Sequence, residues 1–370
     1  MVELAQADPG ARVARYRAEI NAAIAGVLES RRYILGPRVE KFERAFADYL
    51  GIAHCVSVNS GTDALALSLR ALGIGPGDEV ITAALTAAAT AQAILHCGAT
   101  PRFVDVDPLT RCLDPNEVES NINASTAAIL PVHLFGMPAN MRRLGRIAAT
   151  HGLAMVEDCA QAHGASIDGR KVGSFGNAGA FSFYPTKNLG GVGDGGAVVT
   201  NDASLAAKVR SLRNYGWIDD RRISSQHGFN SRLDEVQAAV LTVLLPYLDE
   251  GNRERRAVAA LFHALVDRGI TLPLEDCGGV YHQFAIAVTD VDRDRLRGCL
   301  STQGIQTAIH YSPPLHRQPA FCSAAPCALP QTERLSRQLL SLPVQPEVAG
   351  AHATRIIAAI ERGMQQCRAS

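Results

Sequence analysis

Apolar positions along this chain recur with two periods, one helical and one extended. Between residues 11 and 31, Ala14, Ile20, Ala23, Ile24 and Val27 form a stripe at roughly 3.6-residue spacing, which predicts a helix. Residues 39–50 predict a second, stopped by Gly51. Short apolar runs then predict strands at 53–59, 78–83, 103–106, 127–132, 153–156, 181–184 and 197–200, with helices at 63–72, 86–97, 203–213 and 234–244. Strand alternating with helix at this spacing implies βαβ units and a mostly parallel sheet, hence an α/β fold. Pro246 interrupts the pattern, and from about residue 249 a charged helix (Arg253, Glu254, Arg255 and Arg256, then Val258, Leu261 and Leu265) leads into a different layout. There the pattern predicts a strand at 281–288, a helix at 293–303 and a strand at 304–311. The expected division is a large unit over 1–248 and a smaller α+β unit over 249–370.

Composition narrows the class. The chain has 370 residues with 36 basic and 36 acidic side chains. A formal net charge of zero gives no electrostatic case for nucleic acid or a membrane surface. Residues 82–94 are alanine-rich but too short to span a bilayer, and Met1 to Asp8 lack the basic and apolar regions of a secretion signal. Nine scattered cysteines suit reduced thiols, so a cytoplasmic location is expected. Cys322 and Cys327 are the nearest approach to a metal pair, but no second Cys/His pair stands at ligand spacing; no metal is expected.

Candidate chemistry begins at Lys187. The aromatic run Phe181 to Tyr184 is stopped by Pro185, and Lys187 follows on the turn before a glycine-rich loop. A lysine held by stiff neighbours suits an imine with a carbonyl, provided burial or a nearby cation favours its neutral amine. About thirty residues upstream, the strand at 153–156 ends in Glu157 and Asp158, where open α/β sheets bind ligands. Lysine plus an aspartate partner for a pyridinium nitrogen is the protein side of pyridoxal phosphate (PLP) chemistry. Asp158 could instead cap a helix, and Glu157 competes for the role, although strand alternation sends the two side chains to opposite faces. Ser60, Gly61 and Thr62 open the helix at 63–72, offering either a phosphate site or simple capping. Gly191 to Gly196 satisfies the dinucleotide glycine fingerprint, but these glycines run into a strand rather than a helix, so that reading fails.

Taken together, these motifs resemble the DegT/DnrJ/EryC1/StrS sugar aminotransferases of the fold-type I PLP enzymes. The resemblance runs from Tyr33–Glu43 through Ser60–Leu65, Glu157–His163, Phe181–Gly196, Leu212–Gly216, Gly228–Ala238 and His310–Tyr311 to Leu329–Arg334. It implies a PLP-binding α/β domain with a mostly parallel mixed sheet flanked by helices, and a smaller C-terminal domain. It implies PLP on Lys187, with Asp158 on the ring nitrogen, Gln161 beside the phenolic oxygen, and Gly61, Thr62 and Ser182 at the phosphate. Asn230 is expected to reach the phosphate of a neighbouring subunit, making a homodimer with shared sites. Tyr184 and His310 are the substrate candidates. One departure stands out: where many relatives carry an aromatic after the threonine matching Thr86, this chain has Ala87.

The expected reaction is transfer of an amino group from L-glutamate to a keto group of a nucleotide-activated sugar in deoxysugar, lipopolysaccharide or glycan biosynthesis. The form of residues 86–90 resembles a subgroup acting at C3, favouring a dTDP-linked 3-keto-6-deoxy sugar over a 4-keto or UDP-linked one. Lys187 argues against the family's dehydratase branch, which carries histidine there. The remaining motifs disfavour amino-acid decarboxylation. A non-enzymatic regulator on this fold is disfavoured because the chain has no basic segment or room for a DNA-binding module.

Overall fold

The computed structural model describes residues 3–219, 221–265, 269–275, 278–322 and 328–369. Seven strands form the main sheet: β1 (His54–Val58), β2 (Glu79–Ala83), β3 (Thr100–Val104), β4 (Thr126–Ile129), β5 (Ala154–Asp158), β6 (Ala178–Ser182) and β7 (Gly196–Thr200). They lie in the order β1-β7-β6-β5-β4-β2-β3. From β3 to β6 every pair is parallel, whereas β7 runs antiparallel to both β6 and β1. The sheet is therefore mixed but mostly parallel. β7 is buried along its whole length and β1, β2 and β5 nearly so, as continuous apolar strands covered on both faces require.

The N-terminal helical pattern resolves into α1 (Pro9–Arg15) and α2 (Arg17–Ser30) rather than one helix. Pro9 sets the first turn of α1, Tyr16 leaves helical geometry, and its ring stacks on Tyr247 at 4.2 Å. α3 (Pro37–Leu50) ends in Gly51 at φ 68°, a left-handed C-cap that glycine adopts without strain. Its buried Phe42 and Phe46 meet Phe181 and Phe183 edge to face, with centroids 5.1–5.4 Å apart. That cluster packs the strand leading to Lys187 against the N-terminal helices.

Beyond the main sheet, strands Ile270–Thr271, Phe284–Val288 and Leu339–Leu342 form an antiparallel three-stranded sheet, packed by helices Leu248–Phe262, Arg293–Thr302 and Ala351–Ala369. The strand expected at 304–311 is absent. Ile305 bridges to Leu4 and Ala308 to Ser341 as isolated pairs, and the third strand comes from Leu339–Leu342 instead. Among the described residues no helix is long and apolar enough to cross a membrane.

Candidate active site

Four chain segments bring their ends to one cleft at the carboxyl edge of the main sheet. β1 passes into α4 (Gly61–Ala71) through Ser60, whose hydroxyl accepts from the Asp63 amide at 3.1 Å and caps the helix. The cap leaves the first-turn amides of Gly61 and Thr62 aimed outward at the positive end of the helix. Ser182, the last residue of β6, stands against this turn. A Cβ on Gly61 would lie 2.6 Å from the Ser182 Cβ, and one on Gly196 would lie 2.3 Å from the Ser60 carbonyl oxygen. Glycine is thus required for the strand and helix ends to close into a cradle. Its donors are two backbone amides and the hydroxyls of Thr62 and Ser182, a set suited to a phosphate.

At the end of β5 the two carboxylates part as alternation predicts. Asp158 is buried at the cleft, where Oδ1 accepts from the Ala160 amide at 3.1 Å and Oδ2 from the Thr90 hydroxyl at 2.9 Å. Thr90 lies one turn along α5 (Ala88–His96) from Thr86, and their hydroxyls are 3.0 Å apart. Burial raises the Asp158 carboxyl, opposed by the Ala160 amide, Thr90 and the charge of Lys187. Glu157 faces away and accepts from the amides of Gly173, Phe175 and Gly176 and from His133 Nε2 at 3.1 Å. His133 Nδ1 in turn accepts from the Ala139 amide, which leaves Nε2 to face Glu157, so the ring serves as a structural strut. Cys159 also lies close to His133 and Glu157. With four donors on the carboxylate and both ring nitrogens engaged, the cluster is a hydrogen-bond hub rather than a metal cradle. Cys322 is exposed, and Cys327 lies outside the described residues.

Lys187 enters the same cleft from the turn after β6. Burial lowers its amine from the ordinary lysine range to about 8, against the pull of Asp158. The cleft holds about 760 Å³ and is lined by Gly61, Thr62, Ala87, Asp158, Gln161, Ser182, Tyr184 and Lys187, among others. Gln161 is already oriented: its Oε1 accepts from the Phe135 amide at 2.6 Å, and its Nε2 donates to the Tyr311 hydroxyl at 2.8 Å. One amide hydrogen remains free to face the cleft. A second cavity of about 810 Å³ lies behind the lysine turn, lined by Arg12, Asn188, Arg255 and His282, but neither Lys187 nor Asp158 borders it.

Two residues singled out in the sequence do not line this cleft. His310 binds Ser341 through Nδ1 at 2.9 Å, and burial together with the Lys187 charge lowers it to about 4. Asn230 is exposed and bridges Asn214. Its neighbour Ser231 donates to Asp63 at 2.6 Å and accepts from the Asn59 amide at 3.1 Å, tying that segment to the start of α4. Tyr184 is half exposed at the rim. In the sequence Thr90 is visible only as the last residue of the 86–90 motif, and its bond to Asp158, 68 positions away, is not. The sequence reading passed over Tyr311 and Arg12, whose partners are far away in the chain.

The residues present fit PLP. A cradle that side chains at Gly61 and Gly196 would fill, a buried carboxylate with an adjacent amine, and an amide with a spare donor match a phosphate, a ring nitrogen, a carbonyl and a ring oxygen.

Residues 14–361 match the profile of the DegT/DnrJ/EryC1/StrS aminotransferase family. Similar proteins include the dTDP-3-amino-3,4,6-trideoxy-α-D-glucose transaminase of Streptomyces venezuelae, 48% identical over 351 residues, covering 93% of this chain and 92% of that protein. The UDP-N-acetyl-3-dehydro-α-D-glucosamine 3-aminotransferase of Acidithiobacillus ferrooxidans is 45% identical over 363 residues and covers 96% of each. Among solved structures, DesV of S. venezuelae superposes with a TM-score of 0.94 at 47% identity, covering 98% of each chain. With a mostly parallel sheet, a lysine facing an aspartate in one cleft and a family match over nearly its whole length, this chain belongs to the DegT/DnrJ/EryC1/StrS aminotransferase family.

Proposed function

We propose that this protein is a PLP-dependent aminotransferase that moves an amino group from L-glutamate to the 3-keto group of a nucleotide-linked, dTDP-bearing 6-deoxy sugar. The carrying observation is the buried amine of Lys187, lowered to about 8, in the same cleft as the buried carboxylate of Asp158. The C3 preference is supported by the names of the two relatives above, one a 3-amino sugar transaminase and the other a 3-aminotransferase. The 3-keto UDP-sugar of the second relative is the nearest competing substrate.

When bound, PLP supplies an electron sink for a carbanion at the substrate carbon. Lys187 would hold it covalently through Nζ. Asp158, kept in place by Thr90 and Ala160, would accept from the ring nitrogen. Gly61, Thr62 and Ser182 would take the phosphate, and the spare Gln161 hydrogen would reach the ring oxygen. The Lys187 amine, lowered to about 8 and so able to give and take a proton close to physiological pH, is the chain's proton carrier at the donor α-carbon and at the sugar carbon that receives nitrogen. Tyr184 at the rim would contact the sugar or its diphosphate, and His310, outside the cleft wall with Nδ1 on Ser341, would have to do so through its other ring nitrogen. Asn230 would serve the neighbouring subunit in a homodimer, which its exposure outside its own cleft supports. The division of the chain near residue 248 into a cofactor unit and a smaller unit accords with the separate three-stranded sheet. A cytoplasmic location suits a nucleotide-sugar substrate and free thiols.

A panel of 3-keto and 4-keto sugars on dTDP and UDP, with L-glutamate as donor and product mass as readout, tests this. The expected result is an aminated dTDP 3-keto sugar. Amination of 4-keto sugars alone would refute the C3 assignment.

A further inference from the structure

Arg12 sits on α1, about 175 residues from the turn that carries Lys187, yet its guanidinium is inserted into that turn. Nη1 donates to the carbonyl oxygens of Lys187 at 2.7 Å and Asn188 at 3.2 Å. Nη2 donates to those of Pro185 at 2.7 Å and Gly190 at 3.0 Å. The turn's amides are used internally, Lys187 N–H to Tyr184 and Gly191 N–H to Phe183, both at 2.8 Å. Its carbonyls are left to converge on one planar cation. A side chain at Gly190 would intrude on that arrangement, 2.6 Å from the Pro185 and Tyr184 carbonyl oxygens and 2.7 Å from the Arg12 Nη2.

Among the described residues no carboxylate lies within ion-pair distance of Arg12. Burial lowers its guanidinium and the nearby Arg255 lies low at about 10, through burial first and the charge of Arg12 second, with the charge of Glu347 opposing both. Keeping a desolvated cation next to another, with carbonyls as its hydrogen-bond partners and Glu347 acting only beyond ion-pair distance, is costly unless those carbonyls need it. The guanidinium fork is the one side chain that can satisfy four backbone acceptors from a single anchored plane.

We propose that Arg12 is the positioning residue for Lys187, holding the turn so that the amine points into the cleft beside Asp158. Its catalytic consequence rests on the reading of Lys187 as the cofactor lysine, but the placement itself can be read without cofactor. Without the fork, four carbonyls must find water, the turn opens, and the amine reaches solvent. Misplacement of about 1 Å in such a group costs on the order of a hundredfold in rate.

The test uses Arg12→Gln and Arg12→Lys, with Arg15→Gln as control; Arg15 is on the same helix but pairs at the surface with Glu250 and Glu254. Lysines of the cofactor-free protein are acylated with acetic anhydride across pH, and the Lys187 peptide is read by mass spectrometry. We expect wild type and Arg15→Gln to share a low labelling midpoint. In Arg12→Gln the midpoint should rise towards that of an ordinary lysine, with Arg12→Lys in between. In the loaded enzyme, kcat should fall about tenfold to a hundredfold with the KM for nucleotide sugar little changed. A variant with a lowered melting temperature but a wild-type Lys187 midpoint would overturn the proposal, showing Arg12 to be structural only. If Arg12→Gln does not fold, an unshifted midpoint in Arg12→Lys overturns it equally. Failure of the wild-type protein to attach PLP would strike the functional reading instead, and the labelling midpoints would still decide the placement.

Discussion

Burying a lysine amine carries a stability cost that should be measurable in the cofactor-free protein. Lys187 falls from the ordinary 10.5 to about 8, a value that already includes the attraction of Asp158. At about 1.4 kcal/mol for each tenfold change in proton affinity, keeping that amine charged in the fold has a net cost of about 3.5 kcal/mol at most. Because Lys187 keeps partial contact with solvent, screening reduces this to roughly 1–3 kcal/mol. The sign follows from linkage. Between pH 8 and 10.5 the unfolded chain binds a proton at this site that the folded chain does not, so stability rises with pH across that window. Below pH 8 both states are charged and the full cost applies. Lys187→Met, similar in length and uncharged, should therefore be more stable than wild type at pH 7 by roughly 1–3 kcal/mol. The gap should close as pH approaches 10.5. Urea unfolding of both cofactor-free proteins at pH 7 and pH 10 measures it, and titrating groups away from the cleft cancel in the difference. A variant no more stable than wild type at pH 7, or a gap independent of pH, would refute the claim that the site holds a desolvated amine.

Gly61→Ala should weaken PLP binding about tenfold, about 1.4 kcal/mol, because its Cβ would lie 2.6 Å from that of Ser182; an absorbance titration reads the change. Glu157→Ala leaves three amides and His133 without their acceptor, and should cost about 3–5 kcal/mol in urea unfolding. His163 is fully buried, lowered to about 3 chiefly by burial. The unfolded chain therefore takes up a proton that the folded chain refuses, and stability should fall by about 1.4 kcal/mol for each pH unit below 6.5 from this residue alone. His163→Asn should flatten that dependence in unfolding at pH 5 and 7.

The parts of the site that were legible in the sequence are those whose chemistry is local. Asp158 and Glu157 part because a strand alternates, and Ser60 caps because its hydroxyl reaches three residues ahead. The glycines at 191–196 do lead into a strand. Misplaced elements were those decided by tertiary contact. The strand expected at 181–184 lies at Ala178–Ser182. Gly179 packs there against Gly173, where a Cβ would approach to 2.5 Å, so small residues rather than aromatics set its start. The long first helix breaks at Tyr16, which leaves helical geometry where its ring stacks on a residue more than two hundred positions away. Residues 304–311 have a strand-like composition, but the Phe284–Val288 edge is taken by Leu339–Leu342. Arg12 gave no signal at all. An arginine on a polar helix reads as solvated, and only folding brings four carbonyls to it.

The central claim is that Lys187 carries PLP and passes nitrogen from glutamate. Its most direct measurement is the visible spectrum of the purified protein with PLP, before and after L-glutamate is added, beside that of Lys187→Ala. The account predicts a yellow band in wild type that glutamate bleaches and that Lys187→Ala does not form in the same way. A wild-type band indifferent to glutamate, or an identical response in Lys187→Ala, would contradict it.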